Sequence, residues 1–162
     1  MMRKREPSAA TLKARQMKSA ARLYAVQALF QMEASGQPLD KVRREFLDHR
    51  FGAEIDEGEA MVDGDIDHFS AVMEQAVSWQ ARIDQMTDRA LVEKWPIARI
   101  DPVLRALFRA AGAELVAMDT PPKVVIVEFC DVARAFFPEG KEASFVNAVL
   151  DHMAREAKPE AF

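Results

Sequence analysis

The sequence predicts an all-α fold of about seven helices, and three observations support this prediction. Glycine is scarce, with six residues in 162, while the helix-favouring residues alanine, leucine, glutamate and arginine are common. Apolar residues recur at steps of three and four along most of the chain. The single strand-like run, residues 124–127, has no second such run to pair with, and a lone strand is not stable. The length fits one domain, or two small subdomains sharing one core.

The first helix is predicted over residues 9–34, with Ser8 as its N-cap and residues 35–38 (SGQP) as its end. A second, shorter helix follows over residues 39–50. Residues 52–65 lie in a stretch rich in acids and are predicted to form a solvated loop. The face of the first helix that should pack on the core consists of Met17, Ala21, Tyr24, Ala28 and Met32.

A long third helix is predicted over residues 66–86, with Thr87 and Asp88 separating it from a short fourth helix that ends before Pro96. Asp101 followed by Pro102 is typical of a helix start and predicts a fifth helix to about residue 118. The run 124–127 is predicted as helix because apolar residues continue at helical spacing to residue 137. Residues 138–140 (PEG) end this sixth helix, and a seventh follows.

The charge of the chain is distributed unevenly. Its formal net charge is −4, yet residues 1–22 contain seven basic residues and one acid. A basic end on an acidic body suggests a local site for a polyanion, because the body offers nucleic acid little general attraction. The alternative is a basic tail that only aids solubility.

The sequence gives little support for an enzyme or for a secreted or membrane protein. It contains no glycine-rich phosphate loop, and its three histidines share no metal-ligand spacing. The single cysteine, Cys130, lies on the apolar face of the sixth helix, where a buried structural thiol is expected. No apolar run is long enough to cross a membrane, and no apolar stretch follows the first basic residues. We therefore expect a non-enzymatic cytoplasmic protein without metal or cofactor.

A basic stripe on the first helix is the clearest candidate site. Arg15, Lys18 and Arg22 are spaced by three and four, so they fall within about 60° of arc on a helix. Lys13 lies close to them, and residues 7–32 contain no acid. Long cationic side chains in such an array suit the phosphates of RNA or DNA. Most charged stripes, however, are only solvated helix faces.

Several motifs, in order along nearly the whole chain, resemble those of the NusB family of bacterial transcription antitermination factors. Residues 21–31 (ARLYAVQALFQ) resemble the opening of that family. Leu104 and Arg105 fit its Leu-Arg pair. Residues 122–128 (PKVVIVE), 133–136 (ARAF) and 144–151 (SFVNAVLD) resemble its C-terminal signature, of which the last motif is the most specific.

The resemblance implies two helical bundles packed together, which we place at residues 1–86 and 87–162. It also implies binding to boxA-type single-stranded RNA together with NusE, a small-subunit ribosomal protein. In this role the protein would act with other Nus factors and promote read-through by RNA polymerase, notably in ribosomal RNA operons. The basic helix could also be hidden in a homodimer.

The resemblance extends to individual site residues. Lys18 and Arg22 fall on the basic cluster of the family, and Lys13 and Arg15 extend it. Phe145 falls on the aromatic residue that begins the last motif; it could stack on an unpaired base or belong to the core. For the NusE surface we predict the fourth and fifth helices, and the residues proposed there are Glu93, Arg99 and Asp101.

The basic cluster departs from the family pattern. Ser19 and Ala20 stand where the family often has consecutive arginines, so the cluster is thinner here. Val127 and Ala148 replace the usual asparagine and glycine, and Phe30 replaces a common tyrosine. Two other functions stay open, namely an adaptor that binds protein without RNA and an RNA-binding domain related to ribosomal RNA cytosine methyltransferases.

Overall fold

The structure is a computed structural model that describes residues 6–51, 64–91 and 97–162, and within them it contains seven α-helices and no strand. The all-α prediction is therefore confirmed. The helices are α1 Ala9–Ser35, α2 Leu39–His49, α3 Ile66–Ser78, α4 Gln80–Ala90, α5 Pro102–Ala117, α6 Pro122–Phe136 and α7 Glu142–Ala157. Two short 3-10 turns span Ile97–Arg99 and Pro159–Ala161. The predicted acidic loop falls almost wholly outside the described residues.

The predicted starts of α1 and α5 are confirmed by side-chain caps. The hydroxyl of Ser8 accepts a hydrogen bond from the backbone N–H of Thr11 at 3.1 Å. The carboxylate of Asp101 accepts one from the N–H of Val103 at 2.7 Å. Each cap satisfies a backbone donor that has no partner within the helix. Gly36 ends α1 in the left-handed region at φ 70°, a conformation that glycine adopts without steric cost.

The break between α3 and α4 lies at Trp79, so the predicted break at Thr87 and Asp88 is wrong. Trp79 leaves helical geometry at φ −109° and ψ 13°. Thr87 lies fully buried within α4, and its hydroxyl donates to the carbonyl of Ile83 at 2.8 Å. No glycine or proline marks Trp79. The break has a tertiary reason, because it lets α3 pack on α1 and α5 while α4 packs on α5 and α7.

The strand-like run at residues 124–127 is the first part of α6, as predicted. Val125 is fully buried, whereas Val124 and Val127 are exposed. The buried residues continue at helical spacing through Phe129 and Ala133. The β-branched residues therefore divide between a core face and a solvent face.

Helix α5 lies at the centre of the core and packs against α1, α3, α4, α6 and α7. Its Gly112 allows α4 to come close, because a β-carbon there would lie only 2.3 Å from Cγ2 of Ile83. The buried apolar residues form one cluster that includes all seven helices. The division into residues 1–86 and 87–162 stays a prediction. Within the described ranges, no helix is long and apolar enough to cross a membrane.

Candidate nucleic-acid interface

The first half of α1 presents three cations to solvent that have no carboxylate partner among the described residues. Lys13, Arg15 and Lys18 are all exposed. Among the described residues, no carboxylate oxygen lies within 4.0 Å of their charged nitrogens. Many of the other described cations are paired, for example Arg43 with Glu74. The three side chains are therefore available to a polyanion.

Arg15 and Lys18 line an open groove between α1, the connection from α5 to α6, and the first turns of α6. Lys123 adds a third exposed cation from the opposite wall, on α6. Asp119 and Glu128 are the acids of the lining. The remaining lining residues are Arg22, His68, Met118, Thr120, Pro121, Val124 and Val127.

Arg22 requires a correction, because the structure buries it and leaves its guanidinium unavailable to a phosphate. Only 3% of Arg22 is exposed. Its Nε donates to Oε2 of Glu114 at 2.8 Å, and its Nη2 donates to Oε1 at 3.0 Å. The sequence carries a signal for this, since Val26 and Leu29 lie on the same side of α1 as Arg22 and are buried. Of the three residues in the predicted stripe, Arg15 and Lys18 are therefore exposed and Arg22 is part of the core.

Glu114 is the centre of a buried polar cluster behind the groove. It is fully buried in α5, although the sequence pattern gave no expectation of a buried carboxylate. Besides Arg22, the hydroxyl of Thr120 donates to its Oε1 at 2.8 Å. Nε2 of His68 lies 3.0 Å from the same oxygen, without the alignment of a good hydrogen bond. The cluster ties α1, α3 and α5 to the connection that edges the groove.

The surroundings of Glu114 keep it ionised. Burial on its own would raise the pKa of this carboxyl, but His68 and Arg22 together outweigh burial and lower the pKa to about 2. A buried arginine and a buried carboxylate are each costly without a partner, so each accounts for the presence of the other. The cluster is thus a structural support for the groove.

Glu128 extends this cluster to α6 at the rim of the groove. Its Oε2 accepts a hydrogen bond from the hydroxyl of Ser19 at 2.8 Å and lies 3.7 Å from Nη1 of Arg22. Ser19 stands where the family pattern often has arginine. The serine therefore joins α1 to α6, and its partner Glu128 forms no ion pair within 4.0 Å with Arg15 or Lys18.

Phe145 is half-buried in the first turn of α7 and packs its ring edge-on against the fully buried Phe108, with the ring centroids 6.1 Å apart. It does not line the groove of Arg15 and Lys18. Its contact with Phe108 gives it a packing role. Whether its exposed part also stacks on a base stays a prediction.

The residues predicted for a protein partner are only partly described. Glu93 lies outside the described residues. Arg99 is exposed in the 3-10 turn, and Asp101 is exposed beside it while capping α5. In the same region Arg105 donates to the carbonyl of Ile97 at 2.9 Å and pairs with Glu33 of α1. Polar side chains therefore hold this corner against both α1 and α5.

The described residues offer little support for a metal site or a reactive thiol. In these parts of the chain, no group of three or more His, Cys, Asp and Glu side chains is placed to hold a metal ion. Cys130 is buried, and burial raises the pKa of its thiol, which makes the thiolate less accessible. The remaining candidate is the basic groove.

Comparison with known proteins gives a consistent result. The sequence model of the NusB family matches residues 19–155. A protein of Maricaulis maris named transcription antitermination protein NusB is 45% identical over 147 residues, which cover 90% of this chain and 91% of that protein. The protein of the same name from Caulobacter vibrioides is 44% identical and covers 88% and 95% of the two chains.

Solved structures share the fold. NusB of T. maritima superposes with a TM-score of 0.68 at 29% identity, over 89% of this chain and 95% of that one. A structure of the antitermination factors NusB and NusE in complex with dsRNA contains a chain that superposes with a TM-score of 0.69 at 20% identity, over 85% of this chain and 96% of that one. At that identity the second match supports the fold alone.

Proposed function

Since this chain belongs to the NusB family, we propose that it is a transcription antitermination factor that binds boxA-type single-stranded RNA together with NusE. In this role it acts with other Nus factors on RNA polymerase in the cytoplasm and promotes read-through, notably in ribosomal RNA operons. The relatives named above carry the name of such a factor. The function is one of binding, without catalysis.

The observation that carries the RNA part of the proposal is that Lys13, Arg15 and Lys18 of α1 are exposed and have no carboxylate partner in the described part of the chain. On a chain with net charge −4, three cations that have no carboxylate within 4.0 Å among the residues described by the structure form a local site for phosphates. When a protein binds nucleic acid, neutralisation of the phosphates by lysine and arginine often provides the largest part of the affinity. Arg22 contributes by anchoring the helix, since its guanidinium is occupied by Glu114.

For NusE we propose the corner formed by the 3-10 turn and the start of α5. Arg99 and Asp101 are exposed there, and Arg105 fixes the corner to Glu33. The proposal of NusE as partner follows from membership of the NusB family, of which one member has been solved in complex with NusE and dsRNA. Whether the chain alone forms a homodimer stays a prediction.

The test is a titration of short boxA-type RNA with the wild-type protein, alone and with NusE, at several salt concentrations. For a single strand, the salt slope should be about 0.7 per phosphate contacted, and Lys18→Ala should lower it by about that amount. Lys41→Ala is the matched control, because Lys41 is also exposed but lies on α2 and does not line the groove.

A double-stranded RNA of the same sequence forms a second arm, because the solved complex contains dsRNA. Preference for the duplex would overturn the single-strand assignment. Absence of RNA binding with and without NusE, while NusE still binds, would favour an RNA-independent adaptor. If Lys18→Ala behaves as Lys41→Ala does, the α1 site is wrong.

A further inference from the structure

We propose that the exposed face of α6 is the second wall of the RNA site, with Lys123 contacting a phosphate opposite Arg15 and Lys18. This inference rests on the function proposed above and extends it to a helix that the basic stripe does not include. Lys123 lies in the first turn of α6, is exposed, and lines the same groove as the two α1 cations. No carboxylate among the described residues lies within 4.0 Å of its ammonium group.

The groove therefore carries exposed cations on both of its walls, and none of these three is paired with a carboxylate of the described ranges. Cations on two walls can contact successive phosphates of a strand that lies along the groove, and each further phosphate contact adds to the affinity and to its salt dependence. Of the two acids in the lining, Glu128 is engaged by Ser19 and Arg22. Asp119 is exposed and free to repel the strand, so it should weaken binding.

Beside Lys123, the α6 wall also offers an apolar strip. Val124 is 41% exposed and Val127 is 61% exposed, the largest exposure among the big apolar residues described. Apolar surface beside cations suits the ribose and base of an unpaired nucleotide, which has charge on one side and an apolar face on the other. A duplex hides its base faces, so this strip favours a single strand.

Val127 also connects two parts of the surface. Beyond the basic groove it lines a neighbouring cleft together with Arg134 of α6 and Ser144 and Asn147 of α7. Both α7 residues are exposed. The face of α6 therefore lies between the α1 cations and the first turns of α7.

The test compares exposed substitutions in the titration of short boxA-type RNA, with and without NusE. Lys123→Ala should weaken binding about four-fold at physiological salt and lower the salt slope by about 0.7. Asp119→Asn should tighten binding. Lys41→Ala removes the same charge from α2 and should leave affinity and slope unchanged, which excludes an effect of net charge alone.

A second pair of variants tests the apolar strip. Val127→Asp should weaken binding by more than Lys123→Ala does, because it adds a negative charge and removes apolar surface. Val77→Asp, at a 41% exposed valine at the end of α3, is its control. Circular dichroism and thermal unfolding confirm that each variant is folded.

Two outcomes would overturn the inference in distinguishable ways. If wild-type protein binds RNA and Lys18→Ala weakens it, but Lys123→Ala matches Lys41→Ala, the α6 wall is wrong and the proposed function stands. If wild-type protein binds no RNA even with NusE, the proposed function fails and the inference fails with it.

Discussion

Arg22 of α1 and Glu114 of α5 form an ion pair inside the core that is joined by two hydrogen bonds, with N–O distances of 2.8 and 3.0 Å. Both are almost completely buried, at 3% and 0% exposure. The pair lies one helical turn beyond the exposed Lys18, so it fixes how α1 presents its cations. A residue that looks like part of an RNA-binding stripe thus acts as a structural anchor.

Replacing Arg22 should destabilise the protein much more than replacing Lys18. Arg22→Ala leaves Glu114 buried without its main partner, and we expect a loss of about 3–5 kcal/mol in the free energy of unfolding. Lys18→Ala removes an exposed cation from the same helix and should change it by less than about 0.5 kcal/mol. Urea denaturation measures both values.

A double variant separates loss of charge pairing from loss of packing. Arg22→Met with Glu114→Leu removes both charges and retains apolar volume, so much of the stability should return. Equal effects of Arg22→Ala and Lys18→Ala on stability would contradict the buried pair.

The pH dependence of stability should include a contribution from Glu114. Its pKa is about 2 in the folded protein against an ordinary value of 4.5, so the unfolded chain binds its proton first as pH falls. The stabilisation is fully present above about pH 4.5 and is lost as pH falls toward 2. Chemical denaturation from pH 7 to pH 2 should show this loss, and Glu114→Gln, although less stable at pH 7, should show a shallower decline. An unchanged slope in that variant would assign the acid sensitivity to other carboxylates.

Gly112 should not tolerate a side chain while Ile83 is present. In Gly112→Ala, the new methyl group would lie 2.3 Å from Cγ2 of Ile83, so α4 and α5 must separate. We expect a loss of about 1–3 kcal/mol, despite the better helix propensity of alanine. In a double-mutant cycle with Ile83→Ala the losses should be less than additive, because the added methyl fills the space that the isoleucine leaves. Strict additivity would mean that the two residues do not touch.

Two substitutions of Phe145 should distinguish its packing role from a role in RNA binding. Phe145→Ala removes the ring that contacts Phe108 and should cost about 1–3 kcal/mol of stability. Phe145→Leu keeps most of the packing, and if the exposed part of the ring stacks on a base, RNA affinity should still fall about five-fold or more. Phe136→Leu, at a half-buried aromatic residue of α6, is the matched control. If RNA affinity falls only as far as the loss of stability explains in both variants, Phe145 is a core residue without a role in RNA binding.

Local sequence signals predicted most of the fold correctly. Ser8 and Asp101 cap the helices they were expected to cap, and the β-branched run of α6 is helical as its spacing indicated. The break at Trp79 has no local signal, because it depends on α3 and α4 packing against different neighbours. Arg15 and Lys18 are exposed, as the predicted stripe indicated. Lys123 lies on α6, so the spacing of basic residues in α1 could not predict that it lines the same groove.

The sequence by itself determined the all-α class, most helix ends, the family and the position of the basic helix, because each depends on residues close together in the chain. Only the tertiary structure decided which cations remain free. Arg15 and Arg22 are alike in sequence, but Arg22 lies opposite Glu114 of α5, 92 residues away, while Arg15 faces solvent. A side chain's charge is fixed by the sequence, but its partner depends on what the fold places across from it.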